Sequence, residues 1–310
     1  MDRIIPLSDV RKAVDSAYES LKSAKMGEPD SRVSAPDAKA FGITLTLADG
    51  TSVSKGDTKA KFPVAEVVKV PVSTILLSQN SKEELIKKSG SCPCQSHKAG
   101  KPEIPFSAHG IRAISAIEPA GDPDSKWNFI ENRMIDMMGS APELDVKLYE
   151  NLKQQALDAS VEDVLTSKGY YLYDDAALSI DLYLRALSMT ADTEQLAMMG
   201  ATIAADGVNP VSKKIVFDGS IAPSVVAMMA SRAPKKMRKV WLLCSGIPAK
   251  AGFGGGVVAV LPGVFSIAVY SPEIAENGLP MKALKAVAEI MNKLQVSVFG
   301  SARVAIDTTK

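Results

Sequence analysis

Aromatic side chains are scarce in this sequence: eight Phe, seven Tyr and two Trp stand against thirteen Met. A core so poor in rings must lean on Ala, Val, Leu and Met, which favours close helix packing. Cysteine is scarcer still, at three residues. An odd number cannot all pair within one chain, which argues against a disulfide-built secreted scaffold. With two histidines in the whole chain, a histidine-based triad is hard to build. There is no excess of either charge: 36 basic against 35 acidic residues leave a formal net charge of +1. That balance gives no electrostatic footprint for nucleic acid or for an anionic membrane surface. Long apolar runs are absent too. The longest, Val257 to Val260 and Val264 to Ala268, are separated by Pro262 and Gly263, far from the roughly 20 residues a membrane span needs. The start, with Asp2 and Arg3 and no apolar stretch, does not read as a signal peptide. A cytoplasmic protein is the resulting expectation, with neither membrane nor nucleic acid as partner.

What is present is ordinary globular material, 46% hydrophobic and 23% charged over 310 residues, enough for a substantial core. Residues 9–25 place Val10, Ala13, Val14, Ala17, Leu21 and Ala24 at helical spacing after Ser8. Ile43, Leu45 and Leu47 alternate with threonines, and Asp49-Gly50 then turns into Thr51-Ser52-Val53, a hairpin signal. The middle reads as mainly helical, with segments from Ser81, over 143–165, and over 190–205 with Thr190 or Asp192 as cap. A second hairpin is predicted around Leu261-Pro262-Gly263. A helix from Pro280 to about Leu294 follows, with Met281, Leu284, Val287, Ala288 and Met291 on one face. Neither hairpin makes a stable sheet alone, so the two ends of the chain must meet. The expected fold is α/β of the α+β type: a central antiparallel sheet flanked by terminal helices, beside a helical subdomain. Residues 1–60 and 245–310 would form the sheet part and 61–244 the helical part of a single domain.

Three patterns invite chemical readings. The glycine-rich stretch Ala249 to Gly256 runs into a predicted strand rather than a helix, so it reads as a close-approach strand edge and not as a phosphate loop. Cys92, Cys94 and His97 lack a fourth ligand nearby, so they read as incidental loop residues and no metal is expected. Glu66 and Lys69 stand three apart and would share a helix face as an ordinary ion pair.

Several separated segments, taken together, carry a resemblance. Leu196-Ala197-Met198-Met199-Gly200-Ala201-Thr202-Ile203-Ala204-Ala205-Asp206-Gly207-Val208-Asn209-Pro210 resembles the "DLAxMGATLANGGVNP" stretch of the glutaminase family. Gly246-Ile247-Pro248-Ala249-Lys250-Ala251-Gly252-Phe253-Gly254-Gly255-Gly256-Val257 is similar to its "GLPAKSGVGGGI". Leu261-Pro262-Gly263 and Tyr270-Ser271-Pro272 follow where the family has "VPG" and "FSP". Gly56-Asp57 and Phe62 to Lys69 fall at "GD" and "F…SISK". The order holds over about residues 40–300. The resemblance implies the fold of the serine β-lactamases and hydrolysis of the L-glutamine side-chain amide, with a serine of S-x-x-K as nucleophile, its lysine as activator, tyrosines in proton transfer and no cofactor.

Carried over position by position, that machinery is largely replaced. Glu66 stands at the nucleophile's place, while Lys69 and Tyr183 are retained. Lys235 and Arg32 fall where tyrosines are expected. Ala108 replaces a substrate-binding asparagine, and Asn151 and Asp158 fall near the family's glutamate and asparagine. Ser188 matches a serine, Ala251 replaces one, Leu279 replaces an asparagine, and Lys250 and Phe253 complete the pocket. Glu66 would then balance Lys69 and Lys250. The first reading is a pseudoenzyme with a structural, assembly or regulatory role. An alternative is a repurposed enzyme or small-molecule binder using Glu66, Lys69, Tyr183 and Lys250, with an anionic or amino-acid-like ligand. A second alternative is a residual glutaminase or amidase with Ser73 or Ser188 as nucleophile. The resemblance also implies a homo-oligomer, and the first reading a protein partner.

Overall fold

The computed structural model describes residues 3–34, 37–90, 104–231, 237 and 240–309. Alternation builds its centre. Strands Gly42–Leu47 and Ser52–Gly56 form the first hairpin, and Gly256–Leu261 and Phe265–Tyr270 the second. Gly50 sits at φ +100° in the first turn and Gly263 at φ +73° in the second, conformations that only glycine adopts without strain. With Ala249–Ala251 they make a five-stranded sheet in the order Ser52–Gly56, Gly42–Leu47, Phe265–Tyr270, Gly256–Leu261, Ala249–Ala251. Every neighbouring pair is antiparallel. The register sets Ile43 opposite Val269, Leu45 opposite Ile267 and Leu47 opposite Phe265, so all six point to one face. Helices Leu7–Leu21 and Met281–Leu294 cover that face. In the second of these Ile290 joins the buried stripe, whereas Ala288 is only half-buried.

On the opposite face the sheet presents small residues, Thr44, Thr46, Ser266 and Ala268 with Val258, and the helix Thr193–Ala204 lies directly on them. The approach is close enough that a Cβ on Gly200 would stand 2.6 Å from the Ser266 Cβ. Thr44 and Thr193 share a hydroxyl hydrogen bond of 2.8 Å, and Ser266 Oγ donates to the Ala197 carbonyl. Rings would hold these layers apart, which accounts for the shortage of aromatic residues.

This helix begins at Thr193, three residues later than its periodicity predicts. Met189–Ala191 is instead a strand, paired with Phe62–Pro63 on one side and Glu143–Leu144 on the other. Asp192, not Thr190, is the cap. Its carboxylate accepts the Gln195 N–H at 2.9 Å, and Gln195 Oε1 accepts the Asp192 N–H at 3.1 Å. Beyond it the helices Pro123–Met138, Val146–Asp158 and Ala176–Leu187 build a second apolar cluster. At the chain ends, Arg3–Pro6 pairs in parallel with Val304–Asp307. Among the described residues no helix is long and apolar enough to cross a membrane.

Candidate active site

The site lies where the strand pair Phe62–Pro63 and Met189–Ala191 delivers the chain into a short 3-10 turn, Ala65–Val68, which runs on into the helix Lys69–Gln79. Ala65 enters that turn at φ +48°. A non-glycine residue there carries strain of about 1–2 kcal/mol, tolerated where the surroundings over-determine the backbone. Those surroundings are the glycine-rich stretch. A Cβ on Gly252 would lie 2.9 Å from the Ala65 Cβ, and one on Gly254 would lie 2.1 Å from the Pro63 carbonyl oxygen. The glycines thus let the turn after Ala249–Ala251 sit on residues 63–66, the close backbone approach expected of them.

This contact decides the fate of Glu66. Its Oε2 accepts the backbone N–H of Phe253 at 3.0 Å. The expected pairing with Lys69 and Lys250 is therefore not what holds the carboxylate. Lys250 Nζ donates to the Ala251 carbonyl at 3.2 Å. Lys69 directs its ammonium over the ring of Tyr183, 5.7 Å from the centroid. Arg32, carried in from the amino-terminal segment, lays its guanidinium on the Phe253 ring at 3.8 Å. It bonds Asp30 through Nε at 2.8 Å and Nη2 at 2.6 Å. Burial alone would raise the Asp30 pKa, but the Arg32 hydrogen bonds and charge hold it below the usual carboxylate range. Burial likewise opposes the Arg32 cation, and Asp30 with the field of Glu66 outweighs it.

Tyr183, on the helix Ala176–Leu187, is 1% exposed, and its hydroxyl makes no well-formed hydrogen bond, with Ser107 the one side chain placed to bond it. Burial first, then the Glu66 carboxylate, push this phenol well above its ordinary value, with the Ser107 side chain pulling the other way. Its ring packs on Gly110, where a Cβ would stand 2.4 Å from the ring carbon bearing the hydroxyl. Ser107 caps the helix Ala108–Ser115, accepting the Gly110 N–H at 3.2 Å.

The structure thus joins Glu66, Lys69, Tyr183, Phe253, Arg32 and, beside them, Lys250 and Ala251. Ala108 is the first helical residue after Ser107 and adjoins the same corner. Other predicted members do not join. Asn151 and Asp158 are exposed on the helix Val146–Asp158 and bond within it, to Gln155 at 3.1 Å and Gln154 at 2.7 Å. Ser188 is buried with its hydroxyl on the Leu184 carbonyl at 2.9 Å. Ser73 spends its own on the Lys69 carbonyl at 2.6 Å. Leu279 sits in a turn, its N–H on Asn277. His109 is exposed. Lys235, Cys92, Cys94 and His97 lie outside the described residues. Ser107 was not singled out from sequence; its one signal is a serine just ahead of the Ala108–Ser115 helix, where it reads only as a cap. Among the described residues no three His, Cys, Asp or Glu side chains group to hold a metal ion.

Comparison with known proteins places this arrangement. The glutaminase family model matches residues 31–299. A glutaminase of Bacteroides fragilis is 34% identical over 319 residues, covering 99% of each chain. One of Bacteroides thetaiotaomicron is 35% identical over 312 residues, covering 96% of this chain and 97% of its own. Among solved structures, a probable glutaminase superposes with a TM-score of 0.85 at 28% identity, over 95% of this chain and 99% of that one. A Bacillus subtilis glutaminase in covalent complex with 5-oxo-L-norleucine gives 0.78 at 19% identity, over 94% and 98%, which speaks for the fold alone. End-to-end relatives bearing that name give the pseudoenzyme reading no support and favour the glutaminase alternative. The chain belongs to the glutaminase family and has its β-lactamase-like fold.

Proposed function

We propose that the protein hydrolyses the side-chain amide of L-glutamine, or of a close amino-acid analogue, where the Ala65–Val68 turn, the Tyr183 helix and the Gly252–Gly255 turn meet. One observation carries the reading: Lys69 faces a buried Tyr183 whose hydroxyl makes no well-formed hydrogen bond, in a chain related end to end to proteins named glutaminase. A buried polar group left without a bond costs about 1–3 kcal/mol, and a substrate group entering the pocket would satisfy it. The nucleophile is not residue 66. A carboxylate attacking an amide would form an anhydride, a poor intermediate for amide hydrolysis, and this one is already engaged by the Phe253 N–H. The test is ammonia release from L-glutamine by the purified protein, with Lys69→Ala as the control variant. Release that falls by about 10² or more in the variant supports the reading; release unchanged by the variant speaks against it.

A second reading is favoured by the Glu66 contact itself. A carboxylate held on a backbone N–H, with Arg32 nearby, is a ligand-like anion supplied by the chain, and it describes a pocket closed to hydrolysis and serving a structural or regulatory role. On this reading the wild type releases no ammonia. Glu66→Ser, which frees the Phe253 N–H and sets a hydroxyl three residues before Lys69, then gains release. Absence of that gain removes the support for a plug.

A further inference from the structure

We propose that Ser107, at the start of the helix Ala108–Ser115, is the nucleophile of this pocket and that Tyr183 relays its proton. The inference rests on the hydrolase reading above and names the residue that reading leaves open. Position 66 is occupied by a bound carboxylate, and the hydroxyls of Ser73 and Ser188 are each committed to a helix carbonyl four residues back. Ser107 differs in environment. It is half-buried, and its Oγ receives the Gly110 N–H at 3.2 Å rather than giving its proton to a carbonyl. An N–H donor and the positive end of the eight-residue helix behind it both favour developing negative charge on that oxygen.

The Tyr183 hydroxyl faces the same serine. It is fully buried and makes no well-formed hydrogen bond, Ser107 being the one side chain placed to bond it, and it points at the same helical turn: a Cβ on Gly110 would stand 2.5 Å from its oxygen. Ser107 Oγ and Tyr183 Oη therefore flank one residue, Gly110, whose lack of a side chain lets the phenol reach the turn. The preference of the buried phenol for its neutral form suits a relay that gains one proton as it gives another.

The chemistry balances without an outside reagent other than water. Ser107 Oγ forms a bond to the carboxamide carbon, and the carbon–nitrogen bond breaks. The Ser107 proton passes to the Tyr183 oxygen while the Tyr183 proton passes to the departing nitrogen, which leaves as ammonia. Water then attacks the ester, its proton returning to Ser107 Oγ through Tyr183, and the free acid leaves. The Lys69 ammonium over the Tyr183 ring stabilises negative charge passing through the phenol.

The experiment uses the full chain, L-glutamine and the diazoketone 6-diazo-5-oxo-L-norleucine, with any adduct located by peptide mass spectrometry. Ser107→Asn is the informative variant, because asparagine keeps the helix cap but has no hydroxyl; Ser107→Ala accompanies it. The expected result is an adduct on Ser107 and ammonia release lowered by more than about 10³-fold in both variants, with the melting temperature of Ser107→Asn unchanged. Release retained in Ser107→Asn, or an adduct on another side chain, overturns the assignment and leaves the hydrolase reading standing. An adduct on Ser107 in a protein that releases no ammonia keeps the assignment and defeats the hydrolase reading. Neither adduct nor release defeats both.

Discussion

Tyr183 and Tyr270 are both buried phenols, and they differ in how their rings and hydroxyls are held. Tyr270 stacks on Phe62 with centroids 4.3 Å apart, a core contact. Tyr183 has its ring anchored on Gly110 but its hydroxyl unbonded. Replacing Tyr183 by Phe should therefore stabilise the fold by about 1 kcal/mol, by removing an unsatisfied polar group, and at the same time lower turnover by about 10²-fold or more. Urea unfolding alongside the ammonia assay reads both effects; a Phe variant that loses stability would mean the hydroxyl is bonded after all. Tyr270 gives a pH prediction instead. Burial, then Asp37, raise its pKa from 10.0 to about 12. A folded-state value above the unfolded one means its contribution is complete below pH 10.0 and is lost as pH rises towards about 12. Stability measured across that window should fall less steeply in Tyr270→Phe than in the wild type, and identical slopes would contradict the shift.

Among the elements, the Thr193–Ala204 helix shows how small residues set the spacing of layers. Gly200→Ala would drive a Cβ to 2.6 Å from the Ser266 Cβ and 3.0 Å from the Val258 Cγ2. That overpacking should cost about 1–3 kcal/mol in denaturant unfolding; a neutral result would show that the helix can lift off the sheet freely. The same helix marks where sequence pattern stops. Both hairpins follow from local alternation and an Asp-Gly or Pro-Gly turn, and the last helix from its apolar period. The start of the Thr193 helix does not, because Met189–Ala191 becomes a strand only through partners at Phe62–Pro63 and Glu143–Leu144. The site was legible to the same extent. Lys69 stands within the stretch that begins at Phe62, and Tyr183 shortly before the one that begins at Leu196. Asn151 and Asp158 were placed by counting across loops, and on a helix a shift of one residue turns a side chain through about 100°, enough to carry it from pocket to solvent. Ser107 was invisible because a serine before a helix reads as a cap, and its second role depends on a phenol 76 positions away in the chain.

For the whole molecule, the sheet is assembled from residues 42–56 and 249–270, so the glycine-rich turn reaches Glu66 only when both ends of the chain have met. The near-neutral charge balance of 36 against 35 conceals a local arrangement in which Glu66, Arg32 with Asp30, Lys69 and Lys250 gather near the Ala65–Val68 turn. Scarcity of rings follows from the tight sheet–helix contact. The central claim, that this pocket hydrolyses a glutamine-type amide through Tyr183, is tested most directly by ammonia release from L-glutamine by full-length protein and by Tyr183→Phe. Measurable release from the wild type and a loss of about 10²-fold or more in the variant are expected. No release from the wild type, or equal release from both, would contradict it.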